Sequence, residues 1–130
     1  MDEVHILPTE KTPDVLLNPK GIIKIKGRSI EETKTAYPEQ IMHWIDSYVL
    51  TPAESTEVVI ALEYLNSFNT IILSNILIKL SKVSQKSKRL FIKWYVEDDD
   101  EDLLERGESI SSTFNLPIEF ILTDNIKSLY

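Results

Sequence analysis

The sequence predicts one α/β domain spanning residues 1–130, a single-domain sandwich in which a small mixed sheet of about four or five strands is backed by about three helices. Three observations carry this. The chain has 130 residues, the length of one domain rather than two. Its apolar residues fall into short β-rich runs and longer helix-periodic segments, in the order β-β-α-β-α-β-α-β. Strands that alternate with helices fold as a sheet covered by its own crossovers, and right-handed crossovers make the three later strands mostly parallel.

Each element has its own signal. Prolines at 8, 13 and 19 punctuate residues 1–20, which read as an extended, turn-rich N-terminal arm. Val15–Leu17 is a short strand within it, and Asn18-Pro19-Lys20-Gly21 turns the chain into a second, Ile22–Lys26. Ile23 and Ile25 take one face of that strand, Lys24 and Lys26 the other, and Gly27-Arg28-Ser29 ends it. Pro38 suits the first turn of a helix. Ile41, Trp44, Ile45, Tyr48 and Val49 follow as one apolar stripe, and Thr51-Pro52 stops the helix. The run from Val58 to Leu65 is β-rich and largely apolar, as in a strand covered on both faces. Asn66-Ser67-Phe68-Asn69 breaks it, after which Ile72, Leu73, Ile76, Leu77, Leu80 and Val83 recur at helical spacing to about residue 86. Another β-branched and aromatic run extends from Leu90 to Val96. Leu103, Leu104, Gly107, Ile110 and Phe114 line one side of a third helix, and Leu116-Pro117 separates it from a last strand, Ile118–Leu122.

Composition narrows the function classes. At 42% hydrophobic and 27% charged residues the chain resembles an ordinary globular protein. With no cysteine, disulfides, zinc ribbons, iron–sulfur clusters and thiol catalysis are excluded. A net charge of −7 repels phosphate backbones and anionic lipid, so neither nucleic acid nor a membrane surface is an expected partner. The start, Met1-Asp2-Glu3-Val4-His5, lacks the basic-then-apolar build of a signal peptide. The longest apolar-rich stretch, Thr70 to Leu80, holds Asn75 and Lys79 and is too short to span a bilayer. A cytoplasmic location is the expectation.

The acidic run Glu97-Asp98-Asp99-Asp100-Glu101-Asp102 reads first as a helix start. Asp98 is a good N-cap, with Glu101 at capping-box spacing and the remaining carboxylates in the first turn, where the helix dipole favours them. Asp102 can pair with Arg106 one turn on. A calcium loop does not fit, because Leu103 stands where such loops need glycine and Ser109 where they need glutamate. No cofactor is expected, although a divalent-metal protein using 97–102 is the alternative of another class. Catalysis has few parts: the only histidines are His5, in the arm, and His43, on the outward side of its helix. There is no nucleophile elbow, and three glycines cannot build a nucleotide cradle.

Tyr64-Leu65-Asn66-Ser67-Phe68-Asn69-Thr70 is the more informative segment, because a strand stops there and the most apolar helix begins. Unpaired N–H groups and the positive dipole end would stabilise a phosphoryl group on a hydroxyl, which would also put about −1.5 to −2 charge on an exposed edge. The plain alternative is equally physical: Asn66, Ser67 and Asn69 are helix-capping residues, and one of them must cap.

An ordered set of motifs gives this segment a second meaning. It comprises Thr12-Pro13, Gly21, Gly27-Arg28-Ser29-Ile30, Tyr37-Pro38, Trp44, Leu62-Glu63-Tyr64-Leu65-Asn66-Ser67, Lys93-Trp94-Tyr95-Val96-Glu97-Asp98-Asp99-Asp100-Glu101 and Arg106-Gly107-Glu108. In that order and spacing the chain resembles the SiaC-type regulatory phosphoproteins of bacteria. The resemblance implies a STAS-like fold similar to anti-sigma-factor antagonists. It implies a hydroxyl residue phosphorylated by a dedicated Ser/Thr protein kinase and restored by a PP2C-type phosphatase. It further implies an unphosphorylated form that binds and activates a diguanylate cyclase, favouring biofilm. By position the acceptor is Ser67, with Asn66 orienting the loop and Tyr64 anchoring the strand end. Where the family continues with small hydroxyl residues, this chain has Phe68, Asn69, Thr70 and Ile71, which makes Thr70 a second candidate acceptor. The expectation is a non-enzymatic, phosphorylation-switched binding module. Its partner face comprises Tyr64, Asn66, Ser67, Phe68, Asn69 and Ile71, with no catalytic and no metal-binding residues. A constitutive scaffold of the same fold that has lost the switch is the alternative.

Overall fold

The computed structural model describes residues 1–130. In chain order the elements are β1 (Val4–Ile6), β2 (Asp14–Asn18), β3 (Ile22–Ser29), α1 (Tyr37–Tyr48), β4 (Ser55–Leu65), α2 (Ser67–Leu80), α3 (Lys82–Gln85), β5 (Arg89–Glu97), α4 (Glu101–Phe114) and β6 (Ile118–Thr123). A 3₁₀ turn, Ile126–Leu129, follows. The sheet has six strands in the order β1-β2-β3-β4-β5-β6, one more than the upper expected count. The extra strand lies in the N-terminal arm, where Val4–Ile6 pairs antiparallel with Val15–Leu17; three residues carry too little pattern to be read without their partner. β2 and β3 are also antiparallel, whereas β3, β4, β5 and β6 run parallel.

This order fixes the layers. The parallel strands advance in one direction across the sheet, so right-handed crossovers put every connecting helix on the same face. α1, α2 and α4 lie side by side there. Two rows of inward side chains cross the sheet beneath them: Leu17, Ile23, Val58, Ile92 and Ile118, then Val15, Ile25, Ile60, Trp94 and Phe120. The residues of β2 to β5 in these rows form one buried cluster with the helical stripe of Ile41, Trp44, Ile45 and Tyr48, and Ile118 and Phe120, partly buried, pack against it. Gly107 lets α4 approach: a Cβ there would lie 2.6 Å from Phe120 Cε1 and 2.8 Å from Trp94 Cε2. Phe114, expected on the same apolar side, is largely exposed at the end of the helix.

The expectation that β4 is covered on both faces holds only in part. Thr56, Val58, Ile60 and Leu62 are buried under the helices; of the residues that alternate with them on the other face, Ala61 is buried but Glu57, Val59 and Glu63 are only half-buried. That face carries the ion pairs Lys93–Glu57 and Arg28–Glu63, and the 3₁₀ turn covers only part of it, through Ile126. A β-bulge matters for the site: Gly27 pairs with Leu62, but Arg28 pairs with Tyr64 and Ser29 with Leu65. The extra residue in β4 shifts its side-chain parity by one, so Leu65 turns into the core and Tyr64 out of it.

The acidic run also differs in detail. β5 continues through Glu97, so the cap of α4 falls at Asp100, whose carboxylate accepts from Leu103 N at 3.1 Å, rather than at Asp98. Glu97 instead accepts from Ile126 N at 3.2 Å, and Asp102 pairs with Arg106 as the spacing predicts. No helix is long and apolar enough to cross a membrane.

Candidate functional site

α2 begins five residues earlier than the apolar periodicity indicates, because a polar N-cap sets its start ahead of the buried stripe. Asn66 is the N-cap: its side-chain oxygen accepts from Asn69 N at 3.0 Å, which satisfies a backbone donor that the helix itself cannot. Its amide group donates to Ile30 O at 3.0 Å and its backbone N–H to Ser29 O at 3.3 Å. The residue expected to orient the loop therefore ties the end of β3 to the start of α2.

Asn69, expected on the partner face, is only 1% exposed. Its side-chain oxygen accepts from Ser29 Oγ and from Tyr37 Oη, each at 3.1 Å. Its amide donates to Glu31 O at 3.0 Å and to Asn66 Oδ1 at 2.7 Å. It is thus the hub beneath the surface, joining β3, the 30–36 segment, α1 and α2. Burial in this network pushes the Tyr37 hydroxyl above its ordinary value, against a smaller opposite effect of the Ser29 hydrogen bond. Glu31 lies below the usual carboxylate range, because its carboxylate accepts from the Thr33 hydroxyl at 2.8 Å and the Thr33 N–H at 3.1 Å.

Above this hub lie the exposed residues. Ser67 opens α2, and Tyr64, Phe68 and Ile71 around it are 52%, 46% and 64% exposed. Tyr64 stands outside the core with its ring under the Arg28 guanidinium, 5.4 Å from its centroid, so the bulge leaves the inward anchoring of the strand end to Leu65. Phe68 borders a cleft of about 310 Å³ with Tyr37, Pro38 and Ile72. Thr70 lies one turn inside, half-buried, and its hydroxyl donates to Asn66 O at 2.7 Å. The Ser67 hydroxyl donates to no group and receives one long contact, from Arg106 Nη1 at 3.4 Å. The same nitrogen lies 3.3 Å from Thr70 Oγ1, while Arg106 Nε donates to Asp102 at 3.1 Å.

Sequence reading pairs Arg106 with Asp102 and misses its place beside Ser67, 39 residues away in the chain. The available signal is topological. Both α2 and α4 start where a parallel strand ends, so their first turns share one end of the sheet, where α/β folds concentrate their sites. His43 is exposed on α1 and His5 pairs with Asp14 at 2.6 Å on the opposite edge, so neither histidine joins this group. A larger cleft of about 610 Å³ lies beneath Tyr130 and the arm, lined mainly by residues of charged and polar type.

The family model described as SiaC family regulatory phosphoprotein matches residues 6–123. The chain belongs to this family. SiaC from Pseudomonas aeruginosa in its apo form has the same fold, with a TM-score of 0.78 at 21% identity over 95% of this chain and 99% of that one. SiaC in a crystal structure with the diguanylate cyclase SiaD, where it is described as the activator of SiaD, gives a TM-score of 0.81 at 21% identity over 92% and 99%. No curated protein sequence matches the chain. SiaC membership makes this chain a regulatory protein, and it shares the fold of the solved SiaC structures.

Proposed function

We propose that this SiaC-family chain is a non-enzymatic binding module that engages and controls a diguanylate cyclase, and that phosphorylation of Ser67 switches the binding off. A dedicated Ser/Thr kinase adds the phosphate and a PP2C-type phosphatase removes it. The reading is supported by the family's description as regulatory phosphoproteins and by the cyclase complex of the Pseudomonas relative. One observation in this chain carries it furthest: an exposed hydroxyl, Ser67, that donates to nothing, set among the exposed apolar side chains Tyr64, Phe68 and Ile71.

The chemistry favours Ser67 over Thr70. A kinase must take the hydroxyl proton as the oxygen attacks the phosphoryl donor. The Ser67 proton is free, whereas the Thr70 proton is committed to the Asn66 carbonyl and the group is half-buried. The switch then follows from solvation. Covering Phe68 and Ile71 with a partner gains about 1.5–3 kcal/mol for each fully buried side chain, and less here because both are already partly covered. A phosphate in that contact brings a strongly hydrated group with about −1.5 to −2 charge. Stripping its water costs several kcal/mol, enough to undo a micromolar affinity of about −8 kcal/mol.

The test has two parts. Intact mass and phosphopeptide mapping of protein from its own cells should find one phosphate, on Ser67; a phosphate on Thr70 instead would move the site. Calorimetry with a diguanylate cyclase of the same cell should then show tight binding by unmodified protein and by Ser67→Ala, and loss of binding on phosphorylation. Equal affinity with and without the phosphate would replace the switch by a constitutive scaffold.

A further inference from the structure

We propose that Arg106 is the phosphate-receiving side chain of this chain, and that Asp102 positions it, so that phosphorylation fastens the start of α2 to the start of α4. The inference rests on the reading of Ser67 as the acceptor and adds to it the group that holds the phosphate. It starts from three distances on one guanidinium. Nε donates to Asp102 Oδ2 at 3.1 Å, one turn back on the same helix. Nη1 lies 3.4 Å from Ser67 Oγ and 3.3 Å from Thr70 Oγ1, on the neighbouring helix. Both Nη contacts are long and join neutral hydroxyls, so they satisfy the charge poorly.

Asp102 thus holds the guanidinium by one edge and leaves the other edge facing Ser67. A guanidinium offers five N–H donors in a rigid fork and stays charged at every accessible pH. A phosphoryl group on Ser67 Oγ carries its oxygens two bonds beyond that atom, within reach of Nη1, which lies 3.4 Å from Oγ. It therefore replaces the long contact to the Ser67 hydroxyl with charge-assisted bonds, of which an arginine can make two to one phosphate. Arg106 is about three-quarters covered, so its position is held by the packing around it. Arginine, not lysine, fits this place, because a single ammonium cannot face Asp102 and the phosphate with two separate edges.

The arrangement gives the modification a second effect beyond the added charge. In the unmodified protein Arg106, in the second turn of α4, reaches the first turn of α2 through long contacts to two neutral hydroxyls; in the phosphorylated protein an ion pair joins them. A partner then meets a surface whose two helix starts are locked together and whose Arg106 is occupied.

The test uses the full chain with phosphoserine installed at position 67 by genetic encoding, so that it needs no kinase. Phosphorylation should raise the thermal midpoint of the wild-type chain by about 4 °C. That rise should vanish in Arg106→Gln, each compared with its own unmodified form, and return in part in Arg106→Lys. In the same samples the Nε–H resonance of Arg106 should move on phosphorylation while other arginine resonances stay. An equal rise in wild type and Arg106→Gln, or an unmoved Arg106 resonance, overturns the assignment. Arg106→Lys keeps the comparison readable if Arg106→Gln folds poorly. Absence of phosphate on Ser67 in cells would instead overturn the proposed function, which this experiment does not presuppose.

Discussion

Replacing Asn69 by leucine keeps the branched shape of the side chain and removes its polar atoms from the hub beneath Ser67. Four side-chain hydrogen bonds disappear, two accepted from Ser29 and Tyr37 and two donated to Glu31 and Asn66. Their costs differ. Asn66 Oδ1 keeps its bond from the backbone of residue 69, and the Glu31 carbonyl is near enough to the surface to take a water. Ser29 Oγ and Tyr37 Oη are already 3.3 Å apart and can bond to each other, which leaves one buried hydroxyl proton without an acceptor. That orphan costs about 1–3 kcal/mol, and the other lost bonds add about 1 kcal/mol between them. The expected loss is about 3 kcal/mol, or about 12 °C in thermal midpoint. Urea denaturation followed by the fluorescence of Trp44 and Trp94 measures it, and hydrogen exchange should show faster opening at residues 30–33 and 67–70. A loss below about 1 kcal/mol would refute the reasoning, because the hub would then carry none of the stability of the site.

Other substitutions probe the close approaches. Gly21 and Gly27 both adopt positive φ, +99° and +105°, yet a Cβ on Gly21 would lie 2.1 Å from Ser55 O while one on Gly27 meets nothing nearer than 4.0 Å. Both alanine variants should lose about 1–2 kcal/mol from the backbone, and Gly21→Ala should lose about 2 kcal/mol more in urea melts. Gly107→Ala gains about 1 kcal/mol of helix propensity but drives a methyl into the fully buried Trp94, so a net loss of about 1–2 kcal/mol is expected by the same assay. Burial, and after it the nearby carboxylate of Glu63, push the Tyr130 hydroxyl up to about 12. The folded chain therefore holds that proton more tightly than the unfolded chain, whose tyrosine titrates near 10. The resulting stabilisation is complete below about pH 10 and lost as the pH rises towards 12, and Tyr130→Phe should flatten that decline in urea midpoints.

The parts of this fold legible in the sequence are those whose signal is local. The Ile23/Ile25 alternation, the stripe from Ile41 to Val49 and the order of strands and helices all stand in the structure. The parts that were not legible depend on a partner elsewhere in the chain. Val4–Ile6 is a strand only because Val15–Leu17 lies beside it. Tyr64 and Leu65 exchange faces because of a bulge defined by the pairing with β3, which no periodicity in β4 encodes. The cap of α2, Asn66, is among the three residues the sequence offers, whereas that of α4 is Asp100 rather than Asp98; caps are polar, and runs such as 66–70 or 97–102 contain several residues able to cap, among which the end of the preceding strand decides. At the candidate site the exposed Ser67 and its apolar neighbours follow from the chain's own pattern, but the inward turn of Asn69 and the approach of Arg106 require the sheet to bring three elements to one end.

Every strand of this sheet pairs with its neighbour in sequence, so no strand must be inserted between two that already touch. Assembly can follow synthesis, which proceeds at about 5–20 residues per second. The meander β1–β3 forms a template, and each later helix–strand unit is added to the growing edge. Pairings between close relatives in sequence also keep loop-closure costs low for a mostly parallel sheet. The timetable separates the two halves of the Ser67 site. The hydroxyl and the Asn66 and Asn69 bonds around it exist once β4 and α2 have joined the template, whereas Arg106 arrives only with α4, one unit later. A chain still on the ribosome, or cut before α4, would show the acceptor to a kinase without the guanidinium beside it.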